Sequence, residues 1–330
     1  MPFANSLKDR FRPVVVKARN LRNTALYGGC SVLLYHRVAD LETDPQLLAV
    51  SPERFDQQLA FLKKEYHVLS VEEFDHHLFQ AKKFPARSVL LTFDDGYADN
   101  HHQARPILER HGMQALFYIA SGYIGSGREF WWDEVERIFR MNAALPPAFT
   151  FAKADFQLSW SNVEQRDEVY DSLLAELRKL PSAERDAILA ELRIKLNSST
   201  ARPSHLPMTD DELKAFAASP SVVIGAHTVG HPSLASLTEE QQWQEINGSL
   251  EALETMLGKK VSYFSYPFGT GADFSDITVK VARDAGFKHV AANWPALVHA
   301  RSPRFKFPRF LVRDWDVSEF SQRMNMFFRG

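Results

Sequence analysis

A single cysteine, Cys30, stands among 330 residues, so no intrachain disulfide framework holds this chain. A reducing compartment suits such a sequence. An excess of either charge is also lacking. The 39 Lys and Arg against 41 Asp and Glu give a formal charge of −2, which offers no electrostatic ground for a nucleic-acid partner. No apolar run approaches the ~20 residues of a transmembrane helix. The apolar piece of the N-terminus, Val14 to Val16, is too short for a secretory h-region and is flanked by charges. These absences lead us to expect a cytoplasmic protein. Short-period repeats and low-complexity tracts are missing too.

What is present is the material of a large core: 45% hydrophobic and 24% charged residues. The length suits an α/β barrel carrying an insertion. Residues 1–30 read as a basic extension, in which Lys8, Arg10, Arg12, Lys17, Arg19 and Arg22 face only Asp9. A solvated terminus is the plainer reading. The alternative is a peripheral contact with an anionic membrane surface, where a lipid-linked substrate would sit.

From residue 31 to 330, strand-like runs alternate with helical patterns. SVLLYH (31–36), SVLLTF (88–93), ALFYIA (115–120), SVVIGAH (221–227), VSYFSY (261–266), KHVAANW (288–294) and RFLV (309–312) read as buried strands. A short strand is expected at 67–70. Helices are expected from Pro52, with Phe55, Leu59 and Leu62 at helical spacing, and at about 71–79, 99–111 and 317–328. Another follows the Thr238–Gln241 capping box and closes at Gly258. About seven strand–helix units predict a deformed, nearly closed (β/α) barrel of parallel strands. Residues 128–218 differ in texture and read as a mainly helical insertion. They include helices over 130–140 and 163–197, with Pro146–Pro147 and 149–158 as an irregular or strand-like interlude. Trp131 and Trp132 suit either a sugar face or, more simply, packing of this segment onto the barrel.

Chemistry concentrates where strands end. SVLLTF stops on Asp94 and Asp95 before Gly96. Two adjacent carboxylates at the mouth of an apolar strand repel one another, and a cation holding one while the other stays free as a base relieves the conflict. A polar turn is the plain alternative. SVVIGAH runs into HTVGHP, placing His227 and His231 four residues apart. Two imidazoles and a carboxylate form a common catalytic zinc set with one position left open. His36 also closes a strand, and in a parallel barrel such ends share one face. SYFSYPFG ends a fourth strand in the same way.

TFDDGY, then HTVGHP, then a strand closing on YPFG resembles, in that order, the NodB-type polysaccharide deacetylases (carbohydrate esterase family 4). YHRV, ahead of these, resembles the poly-N-acetylglucosamine deacetylase subgroup. The resemblance implies that Asp95, His227 and His231 hold one divalent metal, usually zinc and sometimes cobalt or nickel. It implies that Asp94 is the general base and His36 the general acid. An imidazole near its ordinary pKa of ~6.5 would suit that last role. The Tyr97 N–H is an expected oxyanion donor, and Tyr266, Pro267 and Trp294 are expected substrate contacts. In many family members an Arg stands two residues before the Pro of YPFG; here the position is Ser265. Arg309 is the expected substitute for positioning Asp94.

The activity expected is removal of N-acetyl groups from amino sugars of a polysaccharide, oligosaccharide or lipid-linked glycan. Hydrolysis of another amide, such as a ureide or cyclic imide, is the rival within the fold. A non-catalytic carbohydrate-binding protein is the rival outside enzymes.

Overall fold

The computed structural model describes residues 26 and 28–329, apart from 143–144, 154–155 and 199. The basic cluster from Lys8 to Arg22 lies outside the described residues. Elements run β1 (Cys30–Tyr35), β2 (Arg37–Val38), β3 (Ala49–Val50), α1 (Pro52–Glu65), β4 (His67–Val68), α2 (Val71–Phe79) and β5 (Ser88–Phe93). After a π-helical turn (Asn100–Ala104) come α3 (Arg105–His111), β6 (Ala115–Ile119), α4 (Trp131–Phe139), β7 (Phe149–Lys153), β8 (Phe156–Trp160), α5 (Val163–Leu177) and α6 (Ser182–Lys195). The chain then continues through α7 (Asp210–Ala217), β9 (Val222–Ala226), α8 (Glu239–Leu257), β10 (Tyr263–Ser265), α9 (Asp276–Asp284), β11 (His289–Ala291), β12 (Phe310–Leu311) and α10 (Val317–Arg329).

One curled sheet carries the order β11-β10-β9-β6-β5-β1-β12, with β4 beside the start of β5. Every pairing within it is parallel. β1 and β5 are buried along their whole length, as strands covered on both faces must be, which is why they read as continuous apolar runs. The Thr92 hydroxyl, inside this apolar stack, donates to the Leu33 carbonyl at 2.8 Å. Between β11 and β1 the chain at 304–312 closes the curl. Phe307 exchanges backbone bonds with β11, and Phe310 then registers with Leu33. This is the expected deformed (β/α) barrel.

Local signals act where expected. Thr238 and Gln241 form a reciprocal capping box on α8, and Gly258 ends it in the left-handed region. Three features depart from the sequence reading. The expected helix over 99–111 opens with a π turn, whose extra residue turns Asn100 inward to donate to the His36 carbonyl at 2.9 Å. The helix expected over 163–197 is two helices, because Pro181 bars helical geometry at Leu180. The interlude near 149–158 is a regular antiparallel hairpin, Phe149 facing Trp160.

The layer formed by α4, β7–β8, α5 and α6 has its own core, including Ile138, Leu158, Leu173, Leu177 and Leu189. Tyr97 and Tyr123 of the barrel complete that core. Helix α7 packs instead with the barrel, through Leu213 and Phe216.

Candidate active site

Asp94, Asp95, His227, His231 and His36 line one cleft of about 400 Å³ at the C-terminal ends of the strands. They arrive from three strand ends: Asp94 and Asp95 after β5, His227 and His231 after β9, and His36 after β1. Asp94 N–H bonds the Tyr35 carbonyl at 3.0 Å, continuing the β1–β5 ladder by one residue. Asp95 then adopts φ +80°, a conformation that short polar side chains tolerate better than others. That reversal sends the two adjacent carboxylates to different partners.

Asp94 meets Arg309. Nη1 donates to Oδ1 and Nη2 to Oδ2, both at 2.7 Å, in a bidentate fork. Arg309 is itself fixed by the Ala292 carbonyl, 2.9 Å from Nε, and by the Ser265 hydroxyl, 2.7 Å from Nη2. The short Ser265 side chain leaves room for this guanidinium, which enters from the segment before β12. Burial alone pushes the Asp94 carboxyl up, but Arg309 and then His227 outweigh it, and Asp94 lies below its ordinary value.

Asp95 receives the opposite treatment. Burial, then the Asp94 and Asp133 charges, raise it well above the usual carboxylate range. Its Oδ1 is buried without a hydrogen-bond partner, 3.8 Å from His227 Nε2 and 3.5 Å from His231 Nε2. Two ligands held ~2.0–2.2 Å from one ion at a tetrahedral angle stand about 3.3–3.6 Å apart; the Asp95–His231 separation falls in that window and the Asp95–His227 one just above it, so the set suits a zinc-sized cation with a small adjustment. His227 Nδ1 lies 2.7 Å from the Ser265 carbonyl; the proton it donates there leaves the Nε2 lone pair facing Asp95. Burial holds both imidazoles below their ordinary pKa, hence neutral and fit to ligate.

The His231 loop is strained and braced. Thr228 and His231 both have positive φ, 66° and 57°. Glu245 on α8 accepts the Val229 and Gly230 N–H groups at 2.9 and 2.8 Å. From the other side α6 contributes Arg185, fully buried, whose Nη2 donates to the Gly230 carbonyl at 2.6 Å. A Cβ on Gly230 would sit 2.2 Å from Ser182 Oγ, so only glycine lets α6 approach this closely. The His231 ring stands edge-on between Trp132 and Phe268, 4.6 and 4.8 Å away.

His36 follows β1, half-buried, with Nδ1 unpartnered. Burial lowers its pKa to about 3, only partly offset by Asp94. The imidazole is therefore neutral at neutral pH, which corrects the expectation of a titration near 6.5.

The remaining expected contacts divide. Tyr97 turns its ring away from the cleft: its hydroxyl donates to Asp133 at 2.7 Å and accepts Trp132 Nε1 at 2.8 Å. Tyr266 bonds the Phe305 carbonyl and stacks on Phe274, and Trp294 stacks on the same ring. Neither Tyr266, Pro267 nor Trp294 lines the cleft; their chain neighbours Phe268 and Asn293 do. Trp131 and Trp132 line it while 2% and 6% exposed, so they serve the seam and the cleft together. Arg178, Arg185 and Arg313 were not singled out from sequence, since no local pattern marks them.

A second group, Asp133, Glu136 and His205, is equally compact, with candidate donor atoms within 4.8 Å of one another. Each member already has a hydrogen-bond partner. Besides the Tyr97 bond to Asp133, Glu136 accepts Thr43 at 2.7 Å and Arg202 at 2.9 Å, and His205 Nδ1 meets Ser204 at 3.0 Å. Among the described residues no helix is long and apolar enough to cross a membrane.

The sequence profile of the polysaccharide deacetylases matches residues 81–145 and 187–290. YxkH of Bacillus subtilis, a relative named for polysaccharide deacetylation, is 22% identical over 258 residues, 78% of this chain and 62% of that protein. The poly-β-1,6-N-acetyl-D-glucosamine N-deacetylase of Escherichia coli K12 is 29% identical over 99 residues, 30% of this chain. The matched region spans only 15% of that enzyme's length. The deacetylase PplD of Streptococcus pyogenes, solved with acetate, superposes with a TM-score of 0.58 at 19% identity. The superposition covers 90% of this chain and 98% of PplD, and shares the fold.

Proposed function

The chain belongs to the polysaccharide deacetylase family, and from that premise we propose that it hydrolyses the N-acetyl group of an amino sugar in a glycan, with a divalent metal, zinc by its donor set, at Asp95, His227 and His231. One observation carries the reading. A carboxylate clamped ionised by Arg309 stands beside a neutral two-histidine, one-carboxylate set whose Asp95 oxygen lacks a partner. A binding module has no use for a base in that position. An ion bound there supplies Lewis acidity, lowering the pKa of a water and polarising the acetyl carbonyl.

The chain's own residues supply the rest. Asp94, ionised, accepts a proton from the attacking water. The backbone N–H of Tyr97 turns away from the 206–208 strand, which bonds its neighbours Gly96 and Ala98, and is the donor proposed for the developing oxyanion. As the C–N bond breaks, the amine nitrogen needs a proton, and His36 is the proposed donor. Being neutral at rest, His36 donates after taking a proton within the cleft, and Asp94, having just received one, supplies it. Water and amide become acetate and amine with no other reactant.

The test is acetate release from N-acetylhexosamine oligomers and glycolipids by chelated and by zinc- or cobalt-reloaded protein. Release restored by metal is expected. No release from any acceptor, with metal verified as bound, would refute the assignment.

A further inference from the structure

A sugar in the middle of a glycan needs two exits from a catalytic cleft, one for each neighbour; a terminal sugar needs one. Helix α5 decides between these cases. Asp171, Leu174 and Ala175, with Arg178 just beyond the helix, lie at helical spacing on one stripe, and all four line the cleft.

Both ends of the stripe are tied to the barrel rim. At one end Tyr170, buried, accepts Gln46 Nε2 at 3.2 Å from the loop between β2 and β3. At the other, Arg178 pairs with Asp273 and lies 4.0 Å above the Phe268 ring, both in the loop after β10. Its carbonyl also accepts the Ser233 N–H at 2.8 Å, from the loop after β9. The helix thus bridges the cleft mouth from the β1 side to the β9–β10 side. Helix α4 fills the intervening β5–β6 sector with Trp131 and Trp132. The arc left over, above the ends of β11 and β12, is lined by Asn293, Leu311 and Arg313 of the barrel itself.

We infer that the cleft has a single mouth and therefore takes an N-acetylated sugar at the end of a glycan, not one flanked on both sides. The inference rests on the deacetylase reading and narrows its substrate class. Tyr170 and Arg178 are the residues that set the specificity, by holding α5 across the second exit.

The probe is a pentamer of β-1,6-linked N-acetylglucosamine, with the product amine located by tandem mass spectrometry. One amine per chain, on a terminal residue, is expected. A second pentamer, whose two end residues already carry free amines, should turn over about tenfold more slowly or worse. Amines appearing at internal positions of the first pentamer, or equal turnover of the second, would overturn the inference. Binding to Asp94→Asn tests it without turnover: the intact pentamer should bind about tenfold tighter than the end-blocked one, and equal affinity counts against a blind cleft. In the double variant Tyr170→Phe/Arg178→Ala, internal products should appear; strictly terminal products there would remove α5 from the explanation. Acetate released from none of the N-acetylated glycans, with metal bound, would instead overturn the deacetylase reading itself.

Discussion

Two buried clusters of carboxylate and imidazole lie on either side of the seam between the barrel and the α4–α6 layer. They match in compactness and in burial: Asp95, His227 and His231 on one side, Asp133, Glu136 and His205 on the other. They differ in satisfaction. The barrel cluster leaves Asp95 Oδ1 and His231 Nδ1 without hydrogen-bond partners. In the layer, Glu136 holds Thr43 and Arg202, Glu129 holds Arg137 and Arg202, and Glu134 holds Arg193. A buried polar atom without a partner costs roughly 1–3 kcal/mol, a cost that a bound cation would remove at Asp95. The satisfied cluster is a joint; the unsatisfied one is the proposed site.

The sharpest way to break this contrast is catalytic. Asp94→Asn should lower kcat by about 10²–10⁴-fold while bound metal, measured by elemental analysis, stays at the wild-type level. His205→Gln should leave acetate release close to wild type; a comparable loss there would place chemistry in the wrong cluster. Next is metal itself. Zinc titration monitored by competition with a chromophoric chelator should give one tight site, lost in His231→Ala and kept in Glu136→Gln. A second equivalent that Glu136→Gln abolishes would erase the distinction.

Smaller effects test how the layer supports the barrel. Arg185→Met should weaken zinc binding by about 10–100-fold, because the Gly230 carbonyl beside His231 loses its brace. An unchanged affinity would make Arg185 a packing residue only. Arg309→Met addresses the base. With the guanidinium gone, burial is left to push the Asp94 carboxyl up, so the acid limb of the kcat profile should move to higher pH. A limb that stays put would separate Arg309 from Asp94. Tyr97→Phe has the smallest expected effect, about 1–3 kcal/mol of unfolding free energy in urea, since Asp133 loses a buried donor and the barrel is untouched.

The parts legible in the sequence were those with short-range signatures. A strand that ends on Asp94–Asp95, imidazoles four residues apart after another strand, and the caps at Gly112 and Gly258 each announce themselves within ten residues. Arg309 was legible only as a cation replacing the one missing at Ser265. Side-chain direction was not legible at turns. Tyr266 and Trp294 are each one or two positions from the residues that do line the cleft, Phe268 and Asn293, and a single step along an extended chain reverses the facing. Phe268 has φ +60°, a local reversal that no periodicity encodes. The brace from Arg185 depends on tertiary approach of α6, where Pro181 sets the direction and Gly230 permits contact. The resting charge of His36 follows from burial, which a strand-end histidine does not reveal.

The pairing of Leu33 with Phe310 has a temporal meaning. Strand β1 is synthesised well before its neighbour β12. Loop-closure entropy delays contacts so distant in sequence. Arg309 stands immediately before β12, so its ion pair with Asp94 requires that strand to be docked. Without the segment from Arg309 onward the chain would keep both histidines and both aspartates, but the proposed base would be untuned and the curl unclosed. Tuning of the proposed base is therefore tied to closure of the barrel.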